Sequence, residues 1–253
     1  MKITILQRNI EWANPQINIS RADEAINRLP DSDLFVLPEM FSTGFCTQPE
    51  NIAESADSET LHWMKRKAAE RDCAMAGSVA IYENENYYNR FYFVCPDGSV
   101  QYYDKKHLFT FGGEHKHFTA GTERVVVEFR GVRILLEVCY DLRFPVWTRN
   151  LKDFDMILYV ASWPTSRIDA WNTLLRARAI ENQCFVVGVN RMGTDPTCEY
   201  SGGSAIIDPY GKIMAECPWN IESSASAEID MEALQVFRKK FPVLNDADPF
   251  SLV

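Results

Sequence analysis

The sequence predicts an α/β protein built from two mixed sheets that pack together with helices outside them. Short apolar runs alternate with segments of helical periodicity along the chain. Buried-type runs at 34–37 and 157–160 lie next to helical segments, which is typical of parallel crossover units. Tight-turn sequences at 96–98, 130–131 and 208–211 join other strands as antiparallel hairpins.

The predicted strands are runs rich in aliphatic, β-branched and aromatic residues that end at turn residues. In order, they are 2–7, 33–37, 73–80, 88–95, 100–103, 125–129, 132–138, 156–160, 185–190, 204–208, 212–216 and 225–229. About a dozen strands exceed what one open sheet usually holds, which favours two packed sheets.

Helices are predicted at 17–29, 60–71, 170–183 and 231–237. The third carries Leu174, Leu175 and Ile180 at helical spacing, and Asp57 or Ser58 is expected to cap the second. No internal repeat and no Ser/Gly/Pro-rich linker interrupts the chain. We therefore expect one domain spanning residues 1–253.

Composition excludes several classes of function. The net charge of −9 and the scattered basic residues argue against nucleic-acid binding, which needs a basic surface. No signal-peptide pattern or membrane-length apolar run is present, so no membrane partner is expected. The seven cysteines form no Cys-x-x-Cys pair, which predicts reduced thiols and a cytoplasmic location.

Two residues at predicted strand ends are candidates for chemistry. Cys139 follows the strand 132–138 and precedes a predicted helix, whose dipole would favour a thiolate and whose N–H groups could bind an oxyanion. The alternative is a small packed side chain. Glu39 follows an apolar strand, where a carboxylate is expensive unless paired. The alternative is a loop carboxylate that faces solvent.

Other polar residues allow more than one interpretation. Of Lys105 and Lys106, alternation points one inward, but spacing does not say which. His107, His115 and His117 are close in sequence, yet their spacing is a weak metal signal, and no metal or other cofactor is predicted. A Cys139–His107 dyad remains open at this point.

A polar segment follows the strand 156–160, at the strand end where ligands bind in α/β sheets. Trp163 and Arg167 could form a substrate wall and a carboxylate clamp there. The alternative is a surface loop with a shielding tryptophan.

Three segments together resemble the motifs of the nitrilase, or carbon–nitrogen hydrolase, superfamily. They are 37–41 (LPEMF), 103–109 (YDKKHLF) and 138–145 (VCYDLRFP), and further similarity lies at 176–182, 190–193 and 200–204. The chain is most similar to the omega-amidase branch. The resemblance implies a four-layer α-β-β-α sandwich and a homodimer or higher homo-oligomer.

The resemblance also implies roles for individual residues. Glu39 is the expected general base, Lys105 the catalytic lysine, Cys139 the nucleophile and Glu114 an auxiliary glutamate, with the backbone of Tyr140 as an oxyanion donor. Glu137 departs from the family pattern, since related chains usually carry an uncharged residue there, and the sequence offers no account of it.

The implied substrate is a small 2-oxo dicarboxylic acid monoamide, such as 2-oxoglutaramate or 2-oxosuccinamate, held by Arg167 with Trp163 as the wall. Arg143 could compete for its carboxylate, although the resemblance favours a structural pairing of Arg143 with nearby carboxylates. An N-carbamoyl compound, an aliphatic amide or a nitrile would suit the same catalytic residues. A scaffold without activity is the alternative outside catalysis.

Overall fold

The computed structural model describes residues 1–251 and has the predicted α/β architecture. Its helices are α1 (Pro15–Asn27), α2 (Glu59–Glu70), α3 (Ile168–Asn182) and α4 (Met231–Lys240). Its strands are β1 (Lys2–Gln7), β2 (Leu34–Val36), β3 (Glu54–Ser55), β4 (Ala74–Glu83), β5 (Asn86–Val94), β6 (Val100–Asp104), β7 (Val126–Phe129), β8 (Val132–Val138), β9 (Met156–Ala161), β10 (Phe185–Asn190), β11 (Met192–Thr194), β12 (Glu199–Ser201), β13 (Ala205–Ile207), β14 (Ile213–Glu216) and β15 (Ser223–Glu228).

Two mixed sheets carry the fold. The first has the order β15-β1-β2-β4-β5-β6, with β3 beside β4, and the second has the order β14-β13-β10-β9-β8-β7. The strands β1, β2 and β4 are parallel, as are β8, β9 and β10. The predicted turns at 96–98, 130–131 and 208–211 join the antiparallel pairs β5–β6, β7–β8 and β13–β14, which confirms the mixed topology.

Three apolar layers hold the sheets and helices together. Ile5, Phe93, Leu136 and Leu158 belong to the core between the sheets. A second core joins the outer face of the first sheet to α1 and α2, and a third joins the outer face of the second sheet to α3. The α-β-β-α layering therefore follows from strands that are apolar on both faces.

Local signals account for the helix ends. Asn14 caps α1 with Pro15 in its first turn, and Ser58, one of the two predicted capping residues, caps α2. Asp230 accepts a hydrogen bond from the Ala233 N–H and caps α4. Within the described part of the chain, no helix has the length and apolar character that crossing a membrane requires.

The sequence patterns miss three short strands. β3, β11 and β12 have two or three residues each, too few for alternation to be recognised. The β11–β12 hairpin stands outside both sheets, and its turn is held by the Asp195 carboxylate, which accepts hydrogen bonds from the N–H groups of Thr197 and Cys198. This hairpin contributes one wall of the cavity described next.

Candidate active site

One cavity of about 390 Å³ lies where strands of both sheets end. It is lined by six of the seven residues singled out from the sequence: Glu39, Lys105, Cys139, Tyr140, Trp163 and Arg167. The seventh, Glu114, is completely buried behind Lys105. The three nitrilase-like segments, which are far apart in the sequence, therefore meet at a single site.

The backbone beyond β2 places Glu39. The Leu37 N–H donates to the Ala76 carbonyl, and the Met40 N–H donates to Ser78 Oγ at 2.9 Å. A Cβ atom on Gly77 would lie 2.9 Å from the Phe41 ring, so a glycine is needed where this turn crosses β4. The turn is thereby held against the sheet, and the Glu39 side chain enters the cavity.

Lys105 forms ion pairs with two buried carboxylates. Its Nζ lies 3.0 Å from Glu39 Oε1 and 2.9 Å from Glu114 Oε2, and all three side chains are buried. Burial alone would lower the pKa of Lys105, but Glu114 and Glu39 raise it well above the ordinary value. Lys105 is therefore a permanent cation. Lys106 points away and lies over the Trp147 ring.

Glu114 is held by more than Lys105. Its Oε2 accepts a hydrogen bond from the Phe109 N–H at 2.6 Å, and it sits on a single 3-10 turn that begins at Gly113. Burial, followed by the nearby Glu39 carboxylate, raises the pKa of Glu114, and Lys105 opposes that rise. The two carboxylates are close enough to influence each other's protonation.

Asn89 is a buried member of the site that the sequence patterns do not reveal. It lies on β5, and its Nδ2 donates to Glu39 Oε1 at 2.8 Å and to Glu114 Oε1 at 3.3 Å. The sequence feature that could have indicated Asn89 is its position as a polar residue on the same strand face as Phe91 and Phe93, which pack in the core between the sheets. A buried amide needs partners, and here the partners are the two carboxylates.

Cys139 sits on a strained turn at the end of β8. Its φ is +46°, a region that non-glycine residues rarely adopt outside turns and functional sites. It begins a five-residue 3-10 helix, Cys139–Arg143, at the place where the sequence predicted a helix. Burial and the Glu39 carboxylate raise the pKa of the thiol well above its ordinary value, while Lys105 lowers it. The surroundings of Cys139 therefore favour the protonated thiol, which contradicts the expected thiolate character from a helix dipole.

Asp141 ties the Cys139 turn to the Lys105 loop. Its carboxylate accepts hydrogen bonds from the Val138 N–H and the Tyr103 hydroxyl, both at 2.9 Å. It also accepts the His107 backbone N–H at 2.9 Å and lies 2.7 Å from His107 Nδ1. His107 thus pairs with Asp141, stacks on Phe144 and does not line the cavity, which removes the support for a Cys139–His107 dyad.

The other predicted histidines are separated from this set. His117 Nδ1 lies 2.7 Å from a Glu50 carboxylate oxygen, and His115 is exposed. Among residues 1–251, no three His, Cys, Asp or Glu side chains are arranged to hold a metal ion.

Aromatic and cationic side chains form the cavity wall opposite the catalytic candidates. Trp163 is buried, and its Nε1 donates to the Arg167 carbonyl at 2.8 Å. The Arg167 guanidinium lies over the Phe109 ring, and that of Arg143 lies 5.0 Å from the centre of the Trp163 ring. The expected pairing of Arg143 with a carboxylate is wrong for the described residues: no carboxylate among residues 1–251 forms an ion pair with Arg143, which is exposed at the cavity.

Residues outside the three motif segments 37–41, 103–109 and 138–145 complete the wall. Trp12, Phe45, Cys46, Phe111, Cys198 and Tyr200 line the same cavity. They come from loops and from the β11–β12 hairpin, whose positions are set by tertiary contacts. No period or motif in the sequence marks them as neighbours.

Glu137 lies two residues before Cys139 but does not line the cavity. By alternation it shares the outer face of the second sheet with Leu135, which packs in the core beside α3. Its carboxylate is buried, and neither oxygen has a hydrogen-bond partner within residues 1–251. Burial and the Asp141 carboxylate raise its pKa well above the ordinary value. Its neighbour across the parallel pair β8–β9 is Tyr159, whose buried hydroxyl also lacks a partner in the described chain. Glu137 is therefore held neutral.

Comparison with known proteins identifies relatives of the whole chain. A family model described as carbon–nitrogen hydrolase matches residues 2–239. Omega-amidase YafV of Escherichia coli K12 is 46% identical over 253 residues, which cover 100% of this chain and 98% of that protein. The 2-oxoglutaramate amidase of Bacillus subtilis is 38% identical over 252 residues, with 96% of each chain covered.

Solved structures agree with the fold. XC1258 from Xanthomonas campestris, a CN-hydrolase superfamily protein with an arsenic adduct in its active site, superimposes with a TM-score of 0.97 at 42% identity. The match covers 100% of this chain and 99% of that one. Nit3 of Saccharomyces cerevisiae, at 24% identity and a TM-score of 0.85, shares the fold.

The buried Glu137 predicts a stability difference that depends on pH. The unfolded chain releases the Glu137 proton near pH 4, whereas the folded protein retains it, so Glu137 costs more stability as pH rises. We expect Glu137→Gln to raise the free energy of unfolding at pH 8 and to change it little near pH 4. The gain should be about 1.4 kcal/mol for each pH unit between the two pKa values.

Urea unfolding at both pH values measures this difference. Glu128→Gln is the matched control, because Glu128 is exposed on the neighbouring strand β7. An equal change in stability at pH 4 and pH 8 for Glu137→Gln would contradict a neutral Glu137 in the folded protein.

Proposed function

The chain belongs to the carbon–nitrogen hydrolase family, and from that premise we propose that it is an omega-amidase. It hydrolyses the terminal amide of a small 2-oxo dicarboxylic acid monoamide, such as 2-oxoglutaramate or 2-oxosuccinamate, to the acid and ammonia. The observation that carries the proposal is one cavity with a carboxylate and an ammonium beside a thiol, and two arginines across from them.

The first step forms a covalent intermediate. Glu39 takes the thiol proton as Cys139 attacks the amide carbon, and the carbonyl oxygen becomes an oxyanion. The raised pKa of the Cys139 thiol supports this step, because a thiol that is protonated before the reaction must lose its proton to Glu39 as it attacks. Lys105 Nζ and the Tyr140 N–H are the proposed oxyanion donors, and one such donor is typically worth about 3 kcal/mol.

The second half-reaction releases both products. The C–N bond breaks, Glu39 returns its proton to the leaving nitrogen, and ammonia departs from the thioester. Glu39 then accepts a proton from the water that attacks the thioester carbon, and the acid product leaves with Cys139 protonated again. Glu114 holds Lys105 from behind through this cycle, as its 2.9 Å contact with Nζ supports.

The cavity mouth favours an anionic substrate. Arg167 and Arg143 both line the cavity of a chain whose net charge is −9, so their positive charges are a local exception. Arg167 is the proposed clamp for the distant carboxylate, because its half-buried side chain is ordered over Phe109. Trp163 forms the wall along the carbon chain.

Assembly and location complete the proposal. We infer a single domain, because one core joins the two sheets. A homodimer is supported by exposed apolar side chains on the helices near the second sheet, Ile180 on α3 and Val236 on α4. The described chain contains seven free cysteines, which supports a cytoplasmic location.

The first test is ammonia release from 2-oxoglutaramate, run beside glutamine, an N-carbamoyl compound, a simple aliphatic amide and a nitrile. We expect rapid release from the 2-oxo amide and a loss of about 10³-fold or more in Cys139→Ala, since the nucleophile is removed. Release from another compound alone would reject the substrate and keep the chemistry. If no compound in the panel releases ammonia, the result would favour a scaffold protein without activity.

A pair of neighbouring lysines tests the assignment of the oxyanion donor. Lys105→Ala should lower kcat by about 10²–10³-fold, the usual loss for one such donor. Lys106→Ala is the matched control and should retain kcat, because Lys106 contacts the Trp147 ring outside the cavity. Steady-state rates of the two folded variants measure this, and the reverse pattern would show that the other lysine is catalytic.

A pair of arginines tests recognition of the carboxylate. Arg167→Ala should raise KM for 2-oxoglutaramate by about 10- to 150-fold, since a charge-assisted hydrogen bond of about 1.5–3 kcal/mol is lost, and should leave KM for a neutral amide unchanged. Arg143→Ala is the companion variant, because Arg143 also faces the cavity. If only Arg143→Ala raises KM, the clamp is Arg143.

A further inference from the structure

One side-chain amide bridges the two carboxylates of the site. Asn89 Nδ2 carries two hydrogens, and its partners are Glu39 Oε1 at 2.8 Å and Glu114 Oε1 at 3.3 Å. Asn89 does not line the cavity, so it does not touch the substrate. Its contribution must act through the two glutamates.

The orientation of this amide is set by the charges it faces. Only the NH₂ group can approach two carboxylates, because the carbonyl oxygen would be repelled by both. Asn89 Oδ1 is buried and has no partner within the described residues, which is a costly arrangement for an acceptor. The surroundings of Asn89 therefore satisfy its N–H donors, which bind Glu39 and Glu114, and not its carbonyl oxygen.

Every charged or titratable group near the pair belongs to the site. Among residues 1–251, Lys105 is the one cation that contacts Glu39 and Glu114, and the Cys139 thiol faces Glu39. The remaining donors are backbone N–H groups, that of Ser162 to Glu39 Oε2 at 2.8 Å and that of Phe109 to Glu114 Oε2. Two carboxylates thus surround one ammonium, and Asn89 is the neutral donor they share.

We propose that Asn89 is a positioning residue that keeps both carboxylates ionised and separated, so that Glu39 is ready to accept the Cys139 proton. A donor to the ionised form makes protonation of a carboxylate harder. Without Asn89, the pair binds a proton at higher pH, and Glu39 is no longer a base in that range. This inference rests on the proposed function for its catalytic readout.

Two substitutions separate loss of the donor from loss of packing. Asn89→Leu keeps a similar volume and removes both N–H donors. Asn89→Ala leaves space in which a water molecule can replace the amide. We expect the acid limb of the kcat/KM profile to move up by about one pH unit in Asn89→Leu and by less in Asn89→Ala, with rates recovering at high pH.

Asn150→Ala is the matched control. Asn150 is also a buried asparagine, and its Nδ2 donates to the carbonyls of Phe154 and Asn182, away from the cavity. Asn150→Ala should lose stability as the Asn89 variants do, but the acid limb of its kcat/KM profile should stay at the pH of the parent protein. Thermal unfolding of each variant confirms that folded proteins are compared.

A second readout does not depend on the substrate. The rate at which iodoacetamide alkylates Cys139, followed by peptide mass spectrometry against pH, reports whether Glu39 can accept the thiol proton. Cys198, on the wall of the same cavity, is the internal reference. The proposal is supported if the alkylation rate of Cys139 rises at a higher pH than in the parent protein while that of Cys198 does not shift. This holds even if every amide in the panel proves inactive.

The opposite result is equally clear. If the acid limb of the kcat/KM profile stays at the pH of the parent protein in both folded Asn89 variants, Asn89 has only a structural role. The same holds if their kcat/KM values fall by the same factor at every pH. Loss of turnover without a shift in the pH dependence of Cys139 alkylation would also overturn the proposal, because Glu39 would then still accept the thiol proton.

Discussion

The site depends on one constraint: two carboxylates and an ammonium are buried together, out of contact with bulk solvent. Removing such charges from solvent costs several kcal/mol for each ion, and good geometry must offset that cost. Lys105 Nζ is within 3.0 Å of Glu39 and Glu114, and Asn89 donates to both. Because these contacts hold the set in place, Glu39 and Lys105 present fixed polar groups to the cavity, the kind of preorganised arrangement that needs little reorganisation when charge develops nearby.

The two-sheet scaffold supplies that geometry from strand ends. Glu39 follows β2 of the first sheet, whereas Cys139 follows β8 of the second, so packing of the sheets brings the Glu39 carboxylate to the cavity that the Cys139 thiol lines. Asp141 links the same two sheets, since it binds the Val138 N–H on β8 and the Tyr103 hydroxyl on β6. The strained φ of Cys139 is tolerated because this network surrounds it.

Two buried glutamates show how surroundings decide the role of a carboxylate. Glu114 faces Lys105 and the Phe109 N–H, and it forms part of an ion pair. Glu137 has no partner within residues 1–251 and is held neutral on the far side of the sheet. Both have raised pKa values from burial, so burial alone does not distinguish a site residue from a tolerated one.

The sequence by itself determined the α/β class, twelve of the fifteen strands, the mixed topology and the family, because apolar periodicity and the motif segments are local properties. It also supplied the Glu39, Lys105, Glu114 and Cys139 set through resemblance. Only the tertiary structure decided that Lys105 pairs with both glutamates, that His107 pairs with Asp141, that Arg143 has no carboxylate partner among residues 1–251 and that Asn89 joins the two carboxylates. Those outcomes depend on contacts between residues up to 66 positions apart, as in the pair Glu39 and Lys105, and such contacts leave no periodic trace in a single sequence.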